Sequence, residues 1–412
     1  MHDCELYRRI LGVEAPWRVE RVDLDLQETK EVRVTVSRDP AAPCTCPEPD
    51  CGMTCPIHDH QERSWRHLDT CQYRTTITGR VPRVNCPMHG VHQVQVPWAE
   101  PGSRFTRLFE CLAIDWLKEA SITAVAGMLR LSWDEAAGIQ ERAVKRGLAR
   151  RDREEVVKRI GVDEKSFQKR HEYVTVVTDL EKARVLHVGD DRKKETLDDF
   201  LWKLPPEKLE AIEAVAMDMW EPYLASCREY VPDFDAKVVF DKFHVAQHLG
   251  EAVNDVRKGE TRELSAAGDE RLKKTKYLWL KNPANFPDAA WRKFRNLRES
   301  TLRTARAWAI KEEFMAAMWN YHYRGAARTF FKQWFHWATH SRLKPIIKVA
   351  RMLKRHLQGI LNYARYGITN AVSEAINAKI QWIKYTARGF RNRDRFRMAI
   401  YFHCGALDLY PH

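Results

Sequence analysis

Residues 159 to 250 alternate strand-like and helix-like segments in one order, and that order limits the fold more than any other feature. "RIGVDEKSF" reads as a strand, and "YVTVVTDLEKARVLHVGD" as a hairpin turning at Asp179 to Lys182. "KETLDDFLWKL" has helical spacing, "IEAVAMDM" is a strand, "EPYLASCREYV" a helix and "AKVVFDKFHV" a last strand. Apolar, β-branched runs bounded by turn residues mark the strands. A three-strand meander followed by two helix–strand steps predicts a mixed sheet, because helical crossovers join parallel strands.

This is the order of a ribonuclease H-like α/β fold, in which the first and fourth strands are neighbours at the sheet centre. Each carries an acid. Asp163 lies in "IGVDEKSF", and Asp218 ends the apolar run of "AVAMDMWEPY". Two unpaired carboxylates side by side repel, and one would protonate. A divalent cation such as Mg²⁺ (or Mn²⁺) removes the conflict, since hard cations take oxygen ligands. Glu374 is the third candidate. It sits on the helix of "NAVSEAINAKI", off the Val372, Ile376 and Ile380 stripe, with Asn377 and Gln381 on its face. Two metals ~3.5–4 Å apart would activate a hydroxyl and stabilise the leaving oxygen of a phosphodiester. Taken singly, an Asp at a strand end is more often a turn or cap residue, and Glu374 a solvated helix residue. Their strand, strand and helix placement is what joins them. Asp241 and His244, in "FDKFHV", support that site or touch metal or DNA; equally, Asp241 caps the following helix.

The N-terminal third reads differently. Val19, Val22, Leu24 and Leu26, then Val32, Val34 and Val36, recur with a period near two and predict a hairpin. Cys44, Cys46, Cys51, Cys55 and Cys71 crowd into 28 residues, with Cys86 beyond them. Crowded cysteines in a cytoplasmic chain more often hold metal than form disulfides. Cys46, Cys51, Cys86 and His89 would make a Cys₃His site for structural Zn²⁺ in a zinc-ribbon-like β region. Cys55 and His58 are a competing pair. Cys4, Cys111, Cys227 and Cys404 are scattered and read as small core residues.

From 104 to 153 the pattern is helical. Ser121 caps a short helix through Met128, and Ser132 caps the next, with Glu135 completing a capping box. This is a helix-turn-helix pattern, and Arg142, Lys145, Arg146, Arg150, Arg151 and Arg153 follow on it as candidate phosphate contacts. The tail "KIQWIKYTARGFRNRDRFR" offers Lys379, Lys384, Arg388, Arg391, Arg393, Arg395 and Arg397, interleaved with Trp382, Tyr385, Phe390 and Phe396. Solvated helix faces and core aromatics are the plainer readings. The Trp-rich helices between Trp279 and Trp337 read as packing.

A formal charge of +13 suits a polyanionic partner. No run approaches the ~20 apolar residues that span a membrane, and "MHDCELYRRI" lacks a secretory pattern. A cytoplasmic location, on the nucleoid when DNA is bound, is the expectation.

The chain resembles the DDE transposases of bacterial insertion sequences, specifically the ISL-three family. "ERSWRHLDTCQYRTTITGRVPRVNCPMHGVHQVQVPWAE", "IGVDEKSF", "AVAMDMWEPY", "VVFDKFHV", "KYLWLKNPANF" and "GITNAVSEAINAKIQWIKYTARGFRNRDRFRMAIYF" carry the resemblance. It implies a zinc-binding β region at 1–103 and a helix-turn-helix at 104–155. It further implies a ribonuclease H-like core at 156–250, an all-helical insertion at 251–365, and the rest of the core at 366–412. By motif match, Asp163, Asp218 and Glu374 are the catalytic acids. Ala375 stands where the family often has glycine, and "CPEPDCG" is longer than the usual "CPxCG". The implied function is binding of terminal inverted repeats in double-stranded DNA, with metal-dependent strand cleavage and transfer. A homo-oligomer on DNA and no membrane partner are expected. The alternatives are a catalytically silent DNA-binding regulator and a different ribonuclease H-like nuclease.

Overall fold

The computed structural model describes residues 3–25, 27–168, 172–281, 285–368 and 371–412. Asn370, which opens the sequence-predicted helix of Glu374, lies outside them, as do Asn282, Pro283 and Ala284 of "KYLWLKNPANF". The chain forms two compact units, Met1–Arg151 with Tyr401–His403 and Leu407–His412, and Asp152–Ile400 with Cys404–Ala406.

The first unit opens with α1 (Asp3–Ile10) and continues with β1 (Trp17–Asp25), β2 (Glu31–Arg38), β3 (Ile57–Thr70), β4 (Tyr73–Cys86) and β5 (Gly90–Gln93). β1 and β2 form the predicted hairpin. β2 pairs parallel with β4, and β3 and β5 pair antiparallel with β4. Alternation buries Val32, Val34 and Val36 on one face. There Trp98 meets Trp17 and Trp65 edge to face, with ring centroids 5.0 and 5.4 Å apart.

Three helices follow, α2 (Arg107–Glu119), α3 (Ile122–Leu129) and α4 (Trp133–Ala149). Each starts at a side-chain cap: Thr106, Ser121 and Ser132. Ser132 and Glu135 close the expected capping box. Arg130, with φ 56°, ends α3 in the left-handed region and lets the chain turn into α4.

The second unit holds β6 (Arg159–Gln168), β7 (Glu172–Asp179), β8 (Arg184–Asp190), α5 (Lys194–Leu201), α6 (Pro206–Glu210), β9 (Ala214–Met217), α7 (Glu221–Tyr230), α8 (Phe234–Lys237) and β10 (Val238–Phe240). The sheet order is β10-β9-β6-β7-β8. β6, β7 and β8 are an antiparallel meander, while β6, β9 and β10 run parallel. The last strand is shorter than "AKVVFDKFHV" suggested. It stops at Phe240 because the Asp241 carboxylate accepts the Phe243 amide at 2.9 Å and starts a helix.

Helices then run almost without break: α9 (Lys242–Ala266), α10 (Lys276–Leu280), α11 (Asp288–Arg298), α12 (Arg303–Ala317), α13 (Arg324–His340), α14 (Lys344–Arg355), α15 (Leu357–Tyr366), α16 (Ala371–Thr386) and α17 (Arg393–Cys404). Trp279, Trp319 and Trp334 are buried in them, as packing residues. One continuous apolar core joins the helices from α9 to α15 to the sheet, from Ile160 and Val215 through Val253 and Phe314 to Leu361.

Candidate functional site

β6 and β9 lie side by side, with Val162 opposite Met217. Asp163, within β6, and Asp218, just past the end of β9, are therefore the next residues along two adjacent parallel strands. The two carboxylates are close enough for Asp163 to repel charge on Asp218, although Asp163 is not in the tight Asp218, Asp241 and His244 cluster. Asp163 accepts the Glu164 amide at 2.7 Å and a hydrogen bond from the Asn377 side-chain amide, with Lys165 Nζ at 3.5 Å. Asp218 accepts His244 Nε2 at 2.7 Å. Burial raises the Asp218 carboxyl above its usual range despite that bond, and Asp163 and Asp241 add repulsion. Burial works against charge on His244, but the contact with Asp218 outweighs it and raises the imidazole.

Asp218, Asp241 and His244 bring one ligand atom each within 4.8 Å of one another. Asp241 thus both caps α9 and faces this cluster, its Oδ2 3.8 Å from His244. The helix-cap reading of Asp241 is therefore met, and its other oxygen faces His244.

Helix α16 lies along β6. A Cβ on Gly161 would stand 2.9 Å from Ser373 Oγ, so glycine permits the approach. One turn on, Asn377 reaches Asp163, and Lys384 then donates to the Ser166 carbonyl. Glu374 is exposed on the same helix, one turn before Asn377, and is outside the Asp218 cluster.

Sequence reasoning passed over Glu164 and Arg192. Glu164 pairs with Arg192 at 3.0 Å, and burial raises its carboxyl. The Arg192 guanidinium lies over Tyr173 and Trp220, 4.3 and 4.8 Å from the ring centroids. Trp220, two residues past Asp218, donates its indole N–H to the Arg192 carbonyl at 3.2 Å. The only signal in sequence was the adjacency of Glu164 to Asp163, and period two sends neighbouring strand residues to opposite faces.

The zinc candidates meet as expected. Cys46, Cys51, Cys86 and His89 converge, with both Cys46 Sγ and Cys86 Sγ 3.6 Å from His89 Nδ1 and Cys51 Sγ 3.8 Å from Cys86 Sγ. A tetrahedral zinc with ~2.3 Å sulfur and ~2.05 Å nitrogen bonds has edges of about 3.8 and 3.5 Å, so the cage has the right size. Burial opposes a Cys86 thiolate, but the Met88 and His89 amides and the His89 ring lower its thiol to about 6. The competing pair does not assemble: Cys55 is buried and donates to the Met53 carbonyl at 3.4 Å, whereas His58 is exposed on β3.

The basic candidates divide. Arg146, 7% exposed, pairs with Glu100 and, at 2.9 Å, with the buried Glu110. Arg142 joins Glu110 at 2.6 Å, and Arg150 holds Asp408 and the Tyr410 carbonyl at 2.9 and 2.7 Å. For Arg146 the expected phosphate contact gives way to a structural one, because its charge is neutralised inside the unit. Lys145 is exposed and pairs with Glu141. Arg151 is partly exposed just beyond α4. In the tail, Arg388 and Arg391 are exposed, while Arg393 lies 3.4 Å from both Glu172 and Asp191.

Among the described residues, no helix is long and apolar enough to cross a membrane. Three family models match the chain. One described as a zinc-finger of transposase IS204/IS1001/IS1096/IS1165 covers residues 42–89, and a helix-turn-helix domain of transposase family ISL3 covers 94–144. The first match places the Cys₃His cage in a zinc-binding ribbon. The Mycobacterium tuberculosis transposase for insertion sequence element IS1557 is 28% identical over 95% of this chain and 93% of its own length. The Bordetella parapertussis transposase for IS1001 is 26% identical over 85% and 86%. The third model, for the ISL3 transposase itself, covers residues 160–400, from the start of β6 through most of α17. With more than half its length in that match, the chain belongs to the ISL3 family of transposases.

Proposed function

We propose that this transposase binds the terminal inverted repeats of its own insertion sequence and cleaves and transfers DNA strands at Asp163, Asp218 and Glu374. The observation that carries the reading is the register of β6 with β9, which sets the two aspartates side by side, with α16 laid along β6. The strand order fits a ribonuclease H-like core, and the helices from 251 to 365 fit an insertion between the second aspartate and the glutamate. On this reading 1–103 and 104–155 are the zinc-binding and helix-turn-helix domains, and 366–412 completes the core.

The donor set suits a hard divalent cation: two adjacent carboxylates, one of them raised by burial and by its neighbours, with a third on the overlying helix. Asp163, Asp218 and Glu374 would hold Mg²⁺ or Mn²⁺. When bound, the cation would supply charge stabilisation for in-line attack at phosphorus, by water for cleavage and by a 3′-hydroxyl for joining. Asn377 holds the Asp163 carboxylate in place. His244 donates to Asp218 and favours its charged form against the burial that raises it, and Asp241 steadies His244. Arg151, Lys384, Arg388 and Arg391 remain the DNA contacts of this reading; Arg142, Lys145, Arg150 and Arg393 would have to leave their carboxylates first. Two ends must be brought together, so protomers act as a homo-oligomer on DNA, in the cytoplasm.

The test compares wild type with Asp218→Asn on DNA carrying the element ends. Cleavage by wild type alone, with equal end binding by both, is expected. Equal cleavage by the variant would remove Asp218 from the chemistry. Binding without cleavage by either protein would favour the silent regulator.

A further inference from the structure

Residues 314–373 contain no aspartate or glutamate, yet carry ten lysines and arginines. At the chain-wide frequency of 56 acids in 412 residues, about eight would fall in such a stretch. A merely solvated surface mixes both signs, so a one-signed field of this length asks for a partner.

The structure concentrates the charge on α14. Lys344, Lys348, Arg351 and Lys354 are spaced four, three and three residues apart and share one exposed face, with Arg355 beside them. Ile346, Ala350 and Leu353 point the other way into the core. The cationic face forms one wall of a groove of about 960 Å³ whose apolar lining is Phe335 and Ile347. Among the described residues, no carboxylate lines it. Among the described residues, none of the five cations is paired with an acid, in contrast to Arg142, Arg146 and Arg150. Lys354 lays its ammonium over the Phe335 ring, 4.9 Å from the centroid, which keeps the charge at the groove without neutralising it.

We infer that this α13–α14 face is a second DNA-binding surface, which grips the phosphate backbone of duplex DNA independently of sequence. From Lys344 to Lys354 the stripe is about 15 Å long at 1.5 Å per residue. Over that length duplex DNA presents a phosphate on each strand about every 3.4 Å, so four cations can each find one. Lysine and arginine forks suit phosphate, whereas base edges need more polar variety than this groove has. The inference goes with the reading as a DNA transposase. Its readout is binding to arbitrary DNA, whereas that reading stands or falls on cleavage.

The test uses the full chain and a 40-base-pair duplex of arbitrary sequence, followed by fluorescence anisotropy across a salt series. The combined variant Lys344→Ala, Lys348→Ala, Arg351→Ala and Lys354→Ala keeps good helix formers. Its thermal melt checks folding. The expected result is a log–log salt slope shallower by about 3 to 4, at roughly 0.9 for each phosphate the protein no longer neutralises. A charge-keeping set, Lys348→Arg, Arg351→Lys and Lys354→Arg, is expected to retain the wild-type slope. An unchanged slope in the alanine variant overturns the inference, as does a wild type that binds no DNA. Loss of self-association with an unchanged slope would assign the face to a protein partner instead.

Discussion

Asn377 shows how a neutral side chain can decide what a charged one does. Its amide donates to Asp163, the carboxylate that the β6–β9 register sets beside Asp218. Without that donor, Asp163 can turn toward Lys165, which waits 3.5 Å away. Groups that orient metal-binding carboxylates typically govern 10- to 100-fold in affinity or activity. Asn377→Ala is therefore expected to lower end cleavage by about that factor, with unchanged binding of end DNA and a higher Mg²⁺ requirement. Single-turnover cleavage against Mg²⁺ concentration measures it. A variant that cleaves like wild type at low Mg²⁺ would show that Asp163 needs no such support.

At the scale of elements, the decisive contact is the bare backbone of Gly161 under α16. A Cβ there would stand 2.6 Å from Thr178 Oγ1 and 2.9 Å from both Leu180 Cδ2 and Ser373 Oγ. Thr178 and Leu180 belong to the neighbouring hairpin and Ser373 to the helix, so the added atom pushes in two directions. Overpacking of this kind typically costs about 1–3 kcal/mol. Gly161→Ala is expected to lower the melting temperature and to displace Glu374 and Asn377 from β6, so cleavage falls more than stability alone explains. Normal cleavage in a destabilised protein would separate α16 from the chemistry. Features made locally were legible in the chain: the Ser132 and Glu135 capping box and the β1–β2 hairpin. Features made by distant partners were not. Arg146 reads as a phosphate contact until Glu100 and Glu110 arrive from 46 and 36 residues away. β3 hides because its outward positions are charged and only Trp65, Arg66 and His67 are buried. Asp241 was ambiguous because one carboxylate caps a helix with one oxygen and faces the cluster with the other.

On the proposed function, recognition of the element ends and strand chemistry fall in separate compact units, each with its own metal requirement. The first unit holds the Cys₃His cage, set in a small cluster of Cys44, Cys46, Cys55, Val84 and Cys86. Structural zinc contributes on the order of 10 kcal/mol to such folds. The second unit has one large core, from the sheet to α15, that contains none of the zinc candidates. Two different losses of activity should follow. In buffer without divalent cations, the zinc-loaded protein is expected to bind element ends and leave them uncut, and added Mg²⁺ should start cleavage from the bound state. Cys86→Ser is expected to lose zinc and end recognition at any Mg²⁺ concentration. The tryptophan-rich second unit, with Trp279, Trp319 and Trp334 buried, should keep its fluorescence melting transition in that variant. Zinc content, gel shift and fluorescence melting on the same preparations measure all three. If Cys86→Ser binds ends as wild type does, the ribbon plays no part in recognition. If its tryptophan transition vanishes as well, the second unit depends on the ribbon to fold, and the division of labour drawn from the two cores fails.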